Sequence, residues 1–325
     1  MKYLRNMLRS ILILFSLFFC LFCFSCKERT IHWEPVSKGH SEDLHNGYFI
    51  NDQSGWIISY GTGRLLHTGN GGVSWQLIAQ LDSIYYEDIV FTSPDKGWLC
   101  GEYGSLLQTD NGGRSWSKTT VADSSIAFYG IDFISPLVGV LAGFDVKIRR
   151  PVILITNNGG ESWEHYHPTL PLSGGLEHIC FVDDHNWFIG GMGYILHTKD
   201  GGTSWQAAIL NEYAIIRGLF FFNKNSGWAV GHDGMVFHTC DGGWSWQQDE
   251  KFTENRLRNV YFINSKTGYI CGDNNKEQGS LWCTKDGGKS WHLIFDTIPD
   301  IHRIIESDNY LWLIGKSGTM VKIKI

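Results

Sequence analysis

Thr68-Gly69-Asn70-Gly71-Gly72-Val73-Ser74-Trp75 is one copy of an octapeptide, Thr-x-Asp/Asn-Gly-Gly-x-Ser-Trp, that also begins at Thr109, Thr156, Thr198, Thr239 and Thr284. The intervals are 41, 47, 42, 41 and 45 residues. A motif returning at so even a period marks a repeat architecture, and about 40 residues suits one four-stranded propeller blade. Each motif residue has a mechanical reading. The side-chain oxygen of Asn70, Asn111, Asn158, Asp200, Asp241 or Asp286 can accept from nearby backbone N–H groups, as in an Asx-turn. The two glycines allow positive φ without a steric penalty. The closing Trp can anchor the turn in the blade. The acids therefore read as structural, and their spacing is not that of an oxygen-ligand calcium loop.

A second pattern lies upstream of each octapeptide. One copy runs Ile89-Val90-Phe91, Gly97-Trp98-Leu99-Cys100-Gly101, Gly104-Ser105-Leu106-Leu107. These are three short strands divided by Gly-marked turns, and the octapeptide leads into a fourth. A seventh unit, Tyr310-Leu311-Trp312-Leu313-Ile314-Gly315 with Gly318-Thr319-Met320-Val321, stops before any octapeptide or fourth strand. The N-terminus can supply that strand. The separations Trp75–Phe91, Trp205–Phe221 and Trp246–Phe262 are all 16 residues, and Trp33–Phe49 is also 16. The expectation is an all-β, seven-bladed β-propeller of four-stranded blades over residues 31–325, its last blade closed by the N-terminal strand. Closure removes exposed sheet edges.

The 325 residues are rich in Gly (38) and Trp (14) and poor in Pro (7), which fits many turns and aromatic anchors. The first residues differ. Lys2, Arg5 and Arg9 precede an apolar stretch from Ile11 to Phe24, of signal-peptide rather than membrane-spanning length. Ser25-Cys26 at its end resembles a bacterial lipoprotein cleavage site. That resemblance implies a signal peptide over 1–25, lipidation of Cys26, a short linker over 26–30 and a membrane-tethered place in the cell envelope. Uncleaved anchoring and plain secretion are the alternatives. Without residues 1–25 the chain carries 24 Lys and Arg against 33 Asp and Glu, so nucleic acid is not an expected partner.

The repeats resemble the Asp-box, or bacterial neuraminidase repeat, superfamily. The unit Phe-x6-Gly-Trp…Gly…Thr-x-Asp-Gly-Gly-x-Ser-Trp is most similar to the photosystem II stability and assembly factor family. The resemblance implies a seven-bladed propeller and a binding or assembly role without catalysis or cofactor. Fold alone does not fix function.

Propeller ligands gather at the channel mouth opposite the octapeptide turns. Four positions before the inner-strand Phe stand His45, Glu87, Tyr129, Glu177, Arg217, Arg258 and, before Glu306 in the last unit, His302. All are polar or titratable. Tyr86, Asp88, Phe128, His178 and Arg303 are neighbouring candidates. Arg217, Arg258 and Arg303 form an expected basic arc for an acidic loop of a partner, with Glu87 and Glu177 facing it. Two hairpins on that face are enlarged, Gly143 to Thr156 and Gly272 to Thr284, the first carrying Lys147, Arg149 and Arg150. The ring has three readings: a solvated rim of paired charges, a surface for an envelope protein or glycan, or a catalytic site. The rival function is a glycan-cleaving enzyme, sialidase-like or other glycoside hydrolase, which would need an Arg trio with Tyr and Glu or two facing carboxylates. The Arg-Ile-Pro motif that accompanies sialidase repeats is absent. His67, His197 and His238 share one repeat position in separate units and do not suggest a metal. Cys100, Cys180, Cys240, Cys271 and Cys283 read as buried free thiols, and the protein as a monomer.

Overall fold

The computed structural model describes residues 33–35, 41–166, 172–274 and 276–325. The expected signal peptide, linker and lipidated Cys26 lie outside the described residues. Seven four-stranded antiparallel sheets form the blades. Blade one comprises Leu44–Phe49, Gly55–Ser59, Arg64–Thr68 and Gln76–Gln80, from the channel outward. The inner strands of blades two to seven are Tyr86–Phe91, Ile126–Phe133, Leu176–Phe181, Ile216–Phe221, Arg256–Phe262 and Ile301–Glu306. Inner strands of successive blades touch, and the seventh returns to the first. The fourth strand of blade seven is Trp33–Pro35, pairing Trp33 with Ile323 and Pro35 with Val321. The expected closure is therefore present. No helix among the described residues is long and apolar enough to cross a membrane.

The octapeptide turns work as their residue types dictate. In the first, the Gly72 N–H donates to Thr68 Oγ1 at 2.9 Å and the Ser74 N–H donates to Asn70 Oδ1 at 3.0 Å. Where the residue is Asp, Ser Oγ closes the turn, as Ser245 does on Asp241 at 2.6 Å. Hydrogen bonds from Ser245 and its counterpart Ser290 hold the Asp241 and Asp286 carboxyls down at about 2. These acids are spent on turn geometry.

Aromatic stacks join the blades. Trp56 lies on Phe91 of the next blade at 3.8 Å, Trp98 on Phe133 at 4.3 Å, Trp228 on Phe262 at 3.8 Å. The octapeptide Trp meets the same Phe edge-on, Trp116 on Phe91 at 6.2 Å and Trp291 on Phe262 at 5.8 Å. Such offset and edge contacts add to the burial of large apolar area. At the closure, Trp312 stacks on Phe49 at 4.6 Å. The second octapeptide glycine, Gly72, fits beneath it with φ +81.

The five described cysteines are free. Cys100, Cys271 and Cys283 are buried as expected, but Cys180 is half-buried and Cys240 exposed. Cys240 takes the variable second position of its octapeptide, between Thr239 and Asp241, and faces outward.

Candidate functional site

Every inner strand carries a register shift near its start. In blade one Leu44 pairs with Ser59 and Asn46 with Ile58, leaving His45 without an opposite residue. The same shift leaves out Glu87, Tyr129, Glu177, Arg217, Arg258 and His302. All seven ring residues are thus bulge residues. A bulge breaks strand alternation and re-aims a side chain. The residue before each is apolar and buried: Leu44, Tyr86, Phe128, Leu176, Ile216, Leu257, Ile301. Tyr86 and Phe128, named as neighbouring candidates, are therefore core residues. The ring residues themselves are half-buried.

The ring side chains bind one another and the adjoining turns. His45 Nε2 and Glu87 Oε2 are 2.8 Å apart. Arg217 Nη1 donates to Glu177 Oε2 at 2.7 Å, and Arg217 Nε lies 3.3 Å from His232 Nε2. Arg258 donates from Nε to Asp273 at 2.6 Å and from Nη2 to Asp300 at 3.1 Å. Arg256 also donates to Asp273, from Nε at 3.0 Å and from Nη2. His302 Nδ1 lies 3.0 Å from the Leu44 carbonyl across the closure. The expected free basic arc is therefore corrected. Arg217 and Arg258 carry internal counter-charges, two of them, Asp273 and Asp300, in places that inner-strand register does not reach. Lys147, Arg149 and Arg150 are exposed on the enlarged blade-three hairpin. In the blade-six hairpin Gly272 pairs with Ser280 and Tyr269 with Cys283, so Cys271 and Cys283 are separated.

Burial and partner compete at the ring carboxylates. Burial pushes Glu87 up, but the His45 hydrogen bond and the charges of His45, Arg217 and Arg303 together hold it below the usual range. Burial dominates at Glu177, with help from Glu87, and raises it despite Arg217. Burial lowers His45 even against Glu87.

One residue deeper, Asn46, Asp88, His178, Asn259 and Arg303 line a channel cavity of about 460 Å³ between the inner strands of all seven blades. Asp88 accepts from Asn46 Nδ2 at 2.7 Å, Ile89 N at 2.9 Å and Ile131 N at 3.0 Å, tying three blades together. Burial nevertheless raises Asp88 to about 6 and Asp132 to about 7, and lowers His178 to about 3. Arg303 belongs to this layer rather than to the rim. Among the described residues no group of three or more His, Cys, Asp or Glu could hold a metal.

The family model described as photosynthesis system II assembly factor YCF48 matches residues 123–215, essentially blades three and four. No curated protein matches. Among solved structures, YCF48 from Cyanidioschyzon merolae is 16% identical, with a TM-score of 0.72 over 90% of this chain and 98% of that one. A structure described as YCF48 bound to D1 peptide is 17% identical, with a TM-score of 0.72 over 93% and 100%. A streptogramin B lyase structure is 12% identical, with a TM-score of 0.71 over 90% and 97%. At these identities the structures establish the shared propeller. The chain is a propeller similar to photosystem II assembly factors in fold and in its middle blades.

Proposed function

We propose that this chain is a non-catalytic binding propeller that holds a segment of a protein partner at its channel mouth, tethered to the cell envelope by a lipid on Cys26. The observation that carries the binding reading is the bulge at one position in all seven inner strands. In a fold otherwise committed to structural turns and aromatic stacks, that recurrence supports a ring of seven polar side chains at one end of one channel. The match to an assembly factor and the peptide-bound likeness in fold support a polypeptide ligand. Glycan cleavage is not favoured by them.

Tyr129 is the ring residue to test, because among the described residues its hydroxyl makes no hydrogen bond. Tyr129→Ala should lower recovery of a cross-linked envelope partner several-fold relative to wild type at an unchanged thermal midpoint. Undiminished recovery would return the ring to an ordinary solvated rim. Turnover of a sialoside or polysaccharide by the purified protein, abolished by Glu177→Gln, would replace the binding reading with the enzymatic one.

The tether has its own test. In a bacterial host carrying the lipoprotein pathway, Cys26→Ala should leave a full-length precursor and abolish labelling by a fatty-acid probe. Normal processing and fractionation of the variant would remove the lipid anchor from the proposal.

A further inference from the structure

The mouth is chemically divided. On the blade-one and blade-two side, Tyr60, Tyr85 and Tyr103 are 40%, 41% and 61% exposed. Tyr60 and Tyr103 occupy the hairpins between second and third strands, and Tyr85 directly precedes the blade-two inner strand. Three rings form a continuous shelf, His45 to Tyr60 at 4.7 Å and Tyr60 to Tyr85 at 4.6 Å between centroids. Glu87 is tied to this shelf through His45 at 2.8 Å, and the Glu102 N–H donates to the Tyr85 carbonyl at 3.0 Å. Glu87 and Glu102 both act on the Tyr60 hydroxyl, and both act with Glu177 on that of Tyr129. On the blade-six side, Arg256 and Arg258 share the buried carboxylates Asp273 and Asp300, which leaves no net charge to offer.

Charge at the rim follows from the pairings. Glu177 has Arg217. Glu87 has His45 as its one side-chain hydrogen-bonding partner among the described residues. Glu102 has no side-chain partner among the described residues, and burial and Glu87 together raise its proton affinity. Arg217 and Arg303 offset part of this field, and Arg217 also acts on the Tyr60 and Tyr129 hydroxyls. Two rim carboxylates thus have no Lys or Arg in contact among the described residues, beside exposed tyrosine faces. A cation desolvated over an aromatic face and next to carboxylates gains from both.

We propose that the acidic, tyrosine-lined half of the mouth takes a lysine or arginine side chain from a basic segment of the protein partner, seated on Tyr60 between Glu87 and Glu102. The inference rests on the mouth being a protein-binding site, and it reverses the sign of partner that the arginines alone suggest. Electrostatic complementarity of this kind selects partners and orients them as much as it tightens them.

The test uses the full-length protein in detergent and two fluorescein-labelled peptides of equal length, one of Gly, Ser and Lys and one of Gly, Ser and Glu. Fluorescence anisotropy should show binding of the Lys peptide, weakening with added salt, and none of the Glu peptide. Glu102→Gln and Tyr60→Ala should each weaken the Lys peptide by roughly tenfold, whereas Tyr60→Phe should leave it nearly unchanged because the ring face does the work. Preference for the Glu peptide, no binding of either peptide, or Lys-peptide binding unmoved by Glu102→Gln and Tyr60→Ala would each overturn the proposal. In those cases, partner cross-linking that still depends on Tyr129 would leave the mouth as the binding site and change only the partner's chemistry.

Discussion

Replacing Gly72 by Ala will destabilise the propeller by about 2–5 kcal/mol, the sum of a backbone penalty of about 1–2 and an overpacking penalty of about 1–3. Gly72 sits at φ +81, and a β-carbon there would lie 2.2 Å from Trp312 Cη2. The ring cannot easily yield. Trp312 is fully buried, stacked on Phe49 at 4.6 Å and met edge-on by Trp75 at 6.2 Å. The effect should appear as a lower denaturant midpoint at unchanged slope. A second background separates the two causes. Trp312→Ala alone should cost about 3–5 kcal/mol, and with the indole gone Gly72→Ala should keep only its backbone share of about 1–2 kcal/mol. Equal costs in both backgrounds would show that the indole does not enforce the glycine.

The second large effect concerns charge. Asp273 is 1% exposed and receives both Arg256 and Arg258. Asp273→Asn keeps the shape and removes the charge, turning an amide NH₂ or an uncharged oxygen toward two guanidinium groups. Removing one partner of a fully buried pair costs about 3–5 kcal/mol; here Arg256 is 43% exposed, so about 2–4 kcal/mol is expected. Equilibrium unfolding measures it. A loss below about 1 kcal/mol would mean that water already serves the arginines.

Legibility differed by level. Octapeptide spacing and the repeated 16-residue separation carried the blade count and the closure by Trp33, because turn chemistry and aromatic anchoring are local. Register also carried the ring: the offset from Phe49, Phe91 and their equivalents leads to the bulge residue in every blade. The pairing of the ring was not legible. Asp273 lies beside the enlarged hairpin and Asp300 in an inter-blade link, and their approach to Arg258 depends on how those loops fold back. Asp300 does stand two residues before His302, a proximity that could have flagged it. Tyr60, Tyr85 and Glu102 are not legible from inner-strand register, because they occupy hairpin tips and links whose direction only the folded loops set.

The three-residue pairing of Trp33–Pro35 with the final strand bears on kinetics. Blades one to six can each assemble from residues close in sequence. The seventh needs two chain segments almost three hundred residues apart, Trp33 and Ile323, to meet. Closing so long a loop is entropically costly and slow relative to hairpin formation. Ring closure is therefore the step that can limit folding, and this short pairing is the latch through which the ring would first come open.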